Sequence, residues 1–196
     1  FLQMGKNELR ISIEGIAKFR VKDGSQIFFE RENENISDQD IRTFLLGSII
    51  GAALIQRNHF LFHGNALEKD GKAIVCLGRS GSGKSTLAYA LVNQGWNLIA
   101  DDIVSVSNDG FVLPGVPRIK LWHDALLKFN LNPNNYPVVR KGLKKYVLKK
   151  NELSYIKKTV PLSCIYRINP FQTKQISINN AKDSYISSEK LKTLVF

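Results

Sequence analysis

Several things are scarce in this 196-residue chain, and each scarcity closes off a class of protein. There are two cysteines, Cys76 and Cys164, each inside an apolar run ("AIVCLG" and "VPLSCIYRI"), and nothing at a zinc-ligand spacing. Disulfide scaffolds and zinc modules are therefore excluded. The two thiols read as reduced core residues, and a cytoplasmic location is expected. No apolar run approaches the ~20 residues of a bilayer helix. The longest, "FLLGSIIGAALI" at residues 44–55, is twelve residues long and reads as a buried helix, so no membrane partner is expected. Neither a signal-peptide pattern nor an internal repeat is present. The chain opens on Phe1 and closes on the apolar "LKTLVF", from which a longer parent protein is expected. What remains is a globular composition, 43% hydrophobic and 23% charged, long enough for one core plus a small appendage.

Acidic residues are scarce only toward the C-terminus. Residues 1–119 hold 13 basic and 13 acidic groups, whereas residues 120–196 hold 15 basic and 4 acidic, so the net charge of +11 lies in the second part. Residues 140–158 alone contain eight basic groups against Glu152. Such a block reads as a nucleic-acid patch, a solvated lysine-rich loop or a clamp for anionic ligands, and composition leaves the three open.

Three strand-like runs open the chain, "ELRISI", "IAKFRV" and "QIFFE", joined by Gly15 and a "KDG" turn, and they predict a small antiparallel meander. Ser37 or Asp38 is a candidate N-cap for one helix over residues 39–57, whose Gly47 and Gly51 would permit close packing on a sheet. "FLFHGNALEKDGKAIVCLG" predicts a hairpin turning at "KDGK". A helix over residues 84–94, stopped by Gly95, then leads to a strand over 96–100 and a second hairpin around "NDG". "PGVPRIKLW" reads as loop and strand, "HDALLKF" as a short helix, and "LNPNNYPVVRKG" as a mobile turn segment. Late strands are expected in "TVPLSCIYRIN" and "KQISI", with a closing helix over 181–195. Regular β-α-β-α alternation is missing, which argues against a simple doubly wound sheet.

Between the "KAIVCLG" strand and the helix lies "GRSGSGKS" at residues 78–85, a full G-x-x-x-x-G-K-[ST] match. Glycines let the backbone curl so that its N–H groups converge, and the helix N-terminus adds partial positive charge. Gly78, Ser80, Gly81, Ser82 and Gly83 would form this cradle. Lys84 would reach the β- and γ-phosphates of a nucleotide, Ser85 would offer its hydroxyl to Mg²⁺, and Thr86 is a weaker phosphate contact.

Asp101 and Asp102, in "LIADDIVSV", lie 17 and 18 residues beyond Lys84. They are expected at the end of a strand that the crossover helix returns parallel to the loop strand, beside the phosphates. Phosphoryl transfer needs a carboxylate for the metal and an acceptor for the hydroxyl proton, and two acids could divide those tasks. Otherwise the pair is a strand-end cap. His63, in "FLFHGNAL", is either a satisfied core histidine or part of the site, Gly64 and Asn65 suggesting an irregular strand end near the loop.

Taken together, "HGNAL…GRSGSGKST…LIADD" resembles the catalytic core of the HPr kinase/phosphorylase family, over roughly residues 36–122. The likeness is nearest to the HPr-kinase-like enzymes that phosphorylate the C-terminal serine of lasso-peptide precursors. It implies an α/β P-loop core of HPr kinase and phosphoenolpyruvate carboxykinase type, a mixed sheet with several hairpins. Residues 1–35 would be the meander and residues 36–196 the kinase domain. It further implies ATP and Mg²⁺ at residues 78–85, Asp101 as base, Asp102 supporting the metal, and His63 orienting the base or the γ-phosphate. The family's Glu-Gly-Arg-Gly-like signature is absent; the matching region reads "FVLPGVPRIKLW", which puts phosphorolysis and HPr as substrate in doubt. Arg118, with Arg140, Lys144 and Lys145 of the basic block, would supply positive charge near the acceptor. The expectation is an ATP-dependent serine kinase acting on a peptide or protein, with a homo-oligomer left open. HPr kinase/phosphorylase activity, a carboxykinase-type lyase, an ATP-binding switch and a nucleic-acid module are the alternatives.

Overall fold

The computed structural model describes residues 1–140, 142–148 and 150–168; the strand expected in "KQISI" and the closing helix over 181–195 lie outside them. The expected meander is present as β2 (Glu8–Ile13), β3 (Ala17–Lys22) and β4 (Gln26–Arg31), with a short strand β1 (Leu2–Met4) added at one edge, order β1-β2-β3-β4. Alternation decides its facing: Ala17, Phe19 and Val21 of β3 are buried while Lys18 and Lys22 are exposed. The buried face packs on Ile41, Ile49 and Ala53 of the helical stretch that follows.

That stretch corrects the single helix expected over 39–57. Helix α1 (Asp38–Phe44) is capped by Ser37, whose side chain accepts from the Asp40 N–H. A π-helical turn (Leu45–Ile49) then leads into α2 (Ile50–Gln56). The break is at Gly47, whose φ of −116° and ψ of −111° leave the helical region. Gly51 does what the spacing suggested: a Cβ there would sit 3.3 Å from Leu61 and 3.5 Å from Ile103.

The central body is built from β5 (Phe60–Lys69), β6 (Lys72–Leu77), β7 (Asn97–Val106), β8 (Phe111–Leu113) and β11 (Val160–Arg167). They form a five-stranded closed barrel in the order β11-β6-β5-β7-β8. Small side chains fill it: the β-branched Val75, Val104, Val112 and Val160 and the alanines Ala66 and Ala100 are all buried. Helix α3 (Lys84–Val92) crosses from β6 to β7, which run in the same direction with antiparallel β5 between them. A second apolar layer joins α3 to β9 (Ile119–Trp122), α4 (His123–Lys128) and β10 (Lys145–Leu148) through Ala88, Leu98, Leu121, Leu126 and Leu148. Among the described residues no helix is long and apolar enough to cross a membrane.

Two expectations change here. The strand bearing the aspartates does not end at them: β7 runs on to Val106, because Phe60–His63 of the long strand β5 supply partners for residues 103–106. Gly64 and Asn65 likewise lie within β5 rather than at its end. Inside the basic block, Lys145 begins β10, which pairs antiparallel with β9, since Leu148 is fully buried and anchors the segment.

Candidate active site

Loop 78–83 follows the end of β6 directly, and its chemistry begins with its backbone. Gly81 and Gly83 have φ of 80° and 89°, values that L side chains rarely adopt, and Gly83 stands immediately before α3. Gly78 cannot carry a Cβ, which would lie 2.6 Å from Ser82 Oγ and 2.7 Å from the Ile168 carbonyl. Lys84 is buried, and its ammonium donates to the carbonyls of Gly78 (2.7 Å) and Arg79 (3.0 Å). Burial lowers its pKa, Asp101 and Asp102 opposing that shift. Asn65 reaches across from β5 and donates to the Lys84 carbonyl at 2.6 Å, fixing the first turn of α3 to the barrel.

The register brings the aspartates to this loop. Gly64 of β5 stands opposite Leu77, the last residue of β6, on one side and opposite Asp102 on the other; Asn65 is flanked by Cys76 and Asp101 in the same way. Gly64 has to be glycine, because a Cβ would lie 2.4 Å from the Cys76 carbonyl oxygen.

The two carboxylates are not equivalent. Asp101 is 8% exposed, accepts from Ser85 Oγ at 3.0 Å and from the Lys120 backbone N–H at 3.1 Å. Burial raises its pKa above the usual carboxylate range, more than those hydrogen bonds lower it. Asp102 adopts φ = 81°, an uncommon backbone for aspartate, and its carboxylate points elsewhere. It accepts from the Lys120 ammonium at 2.6 Å, and His63 Nδ1 stands 3.7 Å from its other oxygen. Burial pushes Asp102 up, but the bond and charge of Lys120, followed by the charges of His63 and Lys145, outweigh it and hold the carboxyl low. His63 is exposed, and its Nδ1 lies 3.0 Å from the Asp102 carbonyl oxygen. Because a carbonyl only accepts, Nδ1 is the donor of this contact and carries a proton.

These groups share a cavity of about 580 Å³. It is lined by the loop from Ser80 to Ser85 with Thr86, by His63, Asp101, Asp102 and Lys120, and by Leu87 and Ala90 of α3 together with Trp122, Ala125 and Lys128. Among the four cations expected near an acceptor, Lys145 lines the cavity and lies over the Trp122 ring at 5.4 Å. The half-buried Arg118 feels both aspartates, which oppose the fall in pKa that burial causes. Arg118 is not among the cavity's lining residues, nor are Arg140 and Lys144, which are exposed.

The donor set suits a polyphosphate with its cation. Ser82 Oγ is buried with no partner among the described residues, as is Arg118 Nε, so donors are available inside the cradle and close to the aspartates. Asp101 and Ser85 already share a hydrogen bond, and the buried carboxylate has no ion pair among the described residues. No cluster of three metal-ligating side chains occurs among the described residues, so a divalent cation here would complete its shell with phosphate oxygens and water. Sequence reasoning missed Lys120, whose signal was a single lysine between apolar residues in "RIKLW". It also missed Trp122, which carries no motif.

Comparison with known proteins gives one family model and several curated relatives. Residues 53–118 match the model of the HPr serine kinase C-terminal domain. An HPr kinase/phosphorylase of Chlorobium phaeovibrioides is 28% identical over 123 residues, 55% of this chain and 36% of its own length. One from Chlorobium limicola is 36% identical over 52 residues, 26% of this chain and 16% of its own. Another, from Chlorobium phaeobacteroides, is 41% identical over 49 residues, 25% and 15% respectively. The matched stretches thus span about a third or less of these relatives. The resemblance to the HPr kinase family read from the motifs is borne out.

Proposed function

We propose that this chain, kin to the HPr kinases through residues 53–118, is an ATP-dependent kinase that phosphorylates a serine hydroxyl on a peptide or protein. The observation that carries the reading is the register at Gly64, which sets the end of the loop strand and the aspartates at one level of one cavity. We read loop 78–83 with α3 as a P-loop nucleotide core of HPr kinase and carboxykinase type. Residues 1–35 stand as the meander and 36–196 as the kinase part, joined by the core that Phe19 shares with Ile41 and Ile49.

In this reading the backbone N–H groups of the loop and Lys84 hold the triphosphate, Lys84 exchanging its carbonyl partners for phosphate oxygens. Ser85 and Asp101 would hold Mg²⁺, which when bound screens the phosphate charge. Asp102, beside His63, takes the proton as the serine oxygen bonds to the γ-phosphorus and the bond to the β-phosphate oxygen breaks. This allocation reverses the one expected from the resemblance, and the reason is geometric: the hydroxyl of Ser85 meets Asp101, while the left-handed backbone at Asp102 sends its carboxylate to Lys120 and His63. Lys145 and Arg118 supply charge at the acceptor end. That use of Lys145 favours the anionic-ligand clamp over a nucleic-acid patch. Positioning and electrostatics dominate such chemistry.

The acceptor has two candidates. HPr is at least as well supported as a peptide, because the relatives are named HPr kinase/phosphorylases. The C-terminal serine of a lasso-peptide precursor rests on the motif likeness alone. Transfer from labelled ATP to HPr and to a serine-ended peptide tests both. Asp102→Asn should slow transfer at least ~100-fold while binding Mg-ATP nearly as before. Labelling of neither acceptor, with no ADP formed, would remove the kinase reading.

A further inference from the structure

One residue grips both carboxylates. Lys120 lies in β9 between buried Ile119 and Leu121 and is itself 8% exposed. Its main-chain N–H donates to Asp101 Oδ2 at 3.1 Å and its ammonium donates to Asp102 Oδ2 at 2.6 Å. A buried lysine is costly unless paired, so a four-residue strand that turns one inward at this point has a specific use for it. Asp102 also holds a backbone conformation that persists only when its surroundings over-determine it. Lys120 fastens the carboxylate, and His63 Nδ1 the carbonyl, of that residue.

We infer that Lys120 is a positioning residue that divides the labour of the two aspartates: its fixed ammonium keeps a divalent cation off Asp102 and confines the metal to Ser85 and Asp101. The inference rests on the kinase reading. An ammonium in hydrogen-bond contact with one carboxylate oxygen blocks that face to a second cation and repels it electrostatically. Across the pair, the main-chain N–H of Lys120 carries no net charge. It orients Asp101 without setting a second cation against that carboxyl group. With Oδ2 of Asp102 engaged, the oxygen nearer His63 is the one left for a hydroxyl proton.

The test uses Mn²⁺ as probe, measured by electron paramagnetic resonance on the full chain with a non-hydrolysable ATP analogue, so that no acceptor is required. In the wild-type background, Asp101→Asn should weaken Mn²⁺ binding at least ~10-fold and Asp102→Asn less than about 3-fold, the scale of losing or keeping one ligand's support. In a Lys120→Met background, Asp102 is released to the metal, and adding Asp102→Asn should now weaken Mn²⁺ at least ~10-fold. Lys120→Arg, which keeps the charge, should behave as wild type. A purely structural lysine would lower thermal stability without changing which aspartate the metal depends on. The inference is overturned if the dependence on Asp102 is the same with and without Lys120, or if Asp102→Asn alone already abolishes binding. Should Lys120→Met not fold, Lys120→Gln takes its place under the same criteria. A wild type that binds no Mn²⁺-nucleotide at all overturns the kinase reading, and this inference with it. A wild type that binds it, with an unchanged Asp102 dependence in the lysine variants, overturns this inference alone.

Discussion

Asp101→Asn separates what the site costs in stability from what it does. Asp101 is buried, its pKa is raised, and its two hydrogen bonds come from neutral donors. In the unliganded protein the folded state therefore holds the Asp101 proton more tightly than the unfolded chain. The contribution of Asp101 to stability is greatest below the ordinary carboxyl pKa of about 4 and is lost as pH rises through the raised folded value. Asparagine keeps the shape and both contacts, its oxygen accepting the Lys120 N–H and its amide donating to Ser85 Oγ. Asp101 has no ion pair among the described residues, and replacing such a buried charge with a neutral isostere is expected to stabilise the unliganded protein by ~1 kcal/mol or more. For a chain of this size that is a rise in Tm of about 2–4 °C. The loaded protein should respond in the opposite sense. Wild type at about 100 Kd of Mg-ATP gains ~2.7 kcal/mol by mass action, and the variant should lose the Mg²⁺-dependent share of that gain. Thermal unfolding across pH 4–8, with and without Mg-ATP, reads both effects. The reasoning fails if the unliganded variant is less stable than wild type at neutral pH, or if it keeps the full Mg²⁺-dependent stabilisation.

Two further outcomes follow from the loop and its strand. Lys84→Ala should reduce phosphoryl transfer by ~100-fold or more, the scale of losing a donor aimed at developing charge, and undiminished ATP turnover would remove the nucleotide assignment. Gly64→Ala should destabilise the fold by ~1–3 kcal/mol, since its Cβ meets the backbone oxygen of Cys76 rather than a movable side chain; an unchanged denaturation midpoint would show that β5 and β6 can separate there.

The closure of the barrel was not read from the sequence, which predicted a mixed sheet, but two of its hairpins were legible because their signals are local. The "KDGK" and "NDG" turns fix two hairpins, and Asp70, Gly71 and Gly110 have the positive φ that such turns require. The loop motif and the length of α3 together predict that β6 and β7 run in the same direction, and they do. What stayed hidden depends on pairing at a distance. β7 continues past the aspartates because β5 is ten residues long and supplies partners, a fact that no pattern within "LIADDIVSV" contains. Lys145 reads as one charge among eight, and only Leu148, three residues further on and fully buried, reveals a strand.

The division between the aspartates was beyond the sequence for a sharper reason. Alternation along a regular strand would send adjacent carboxylates to opposite faces, and that rule alone permits one useful acid. The structure evades it with a single left-handed residue, Asp102, so that both carboxylates reach the cavity wall, aimed at different partners. Nothing in the dipeptide specifies which of the two turns. The partners specify it: Ser85 approaches from the first turn of α3, and Lys120 from a strand 18 residues further along the chain. A site assembled in this way keeps its two acids distinct only while β9 holds its register against β10, where Lys120 stands opposite Val147. The basic block thus acts on the site first through Leu148, the buried residue that fastens β10 to the core, and only then through its charge.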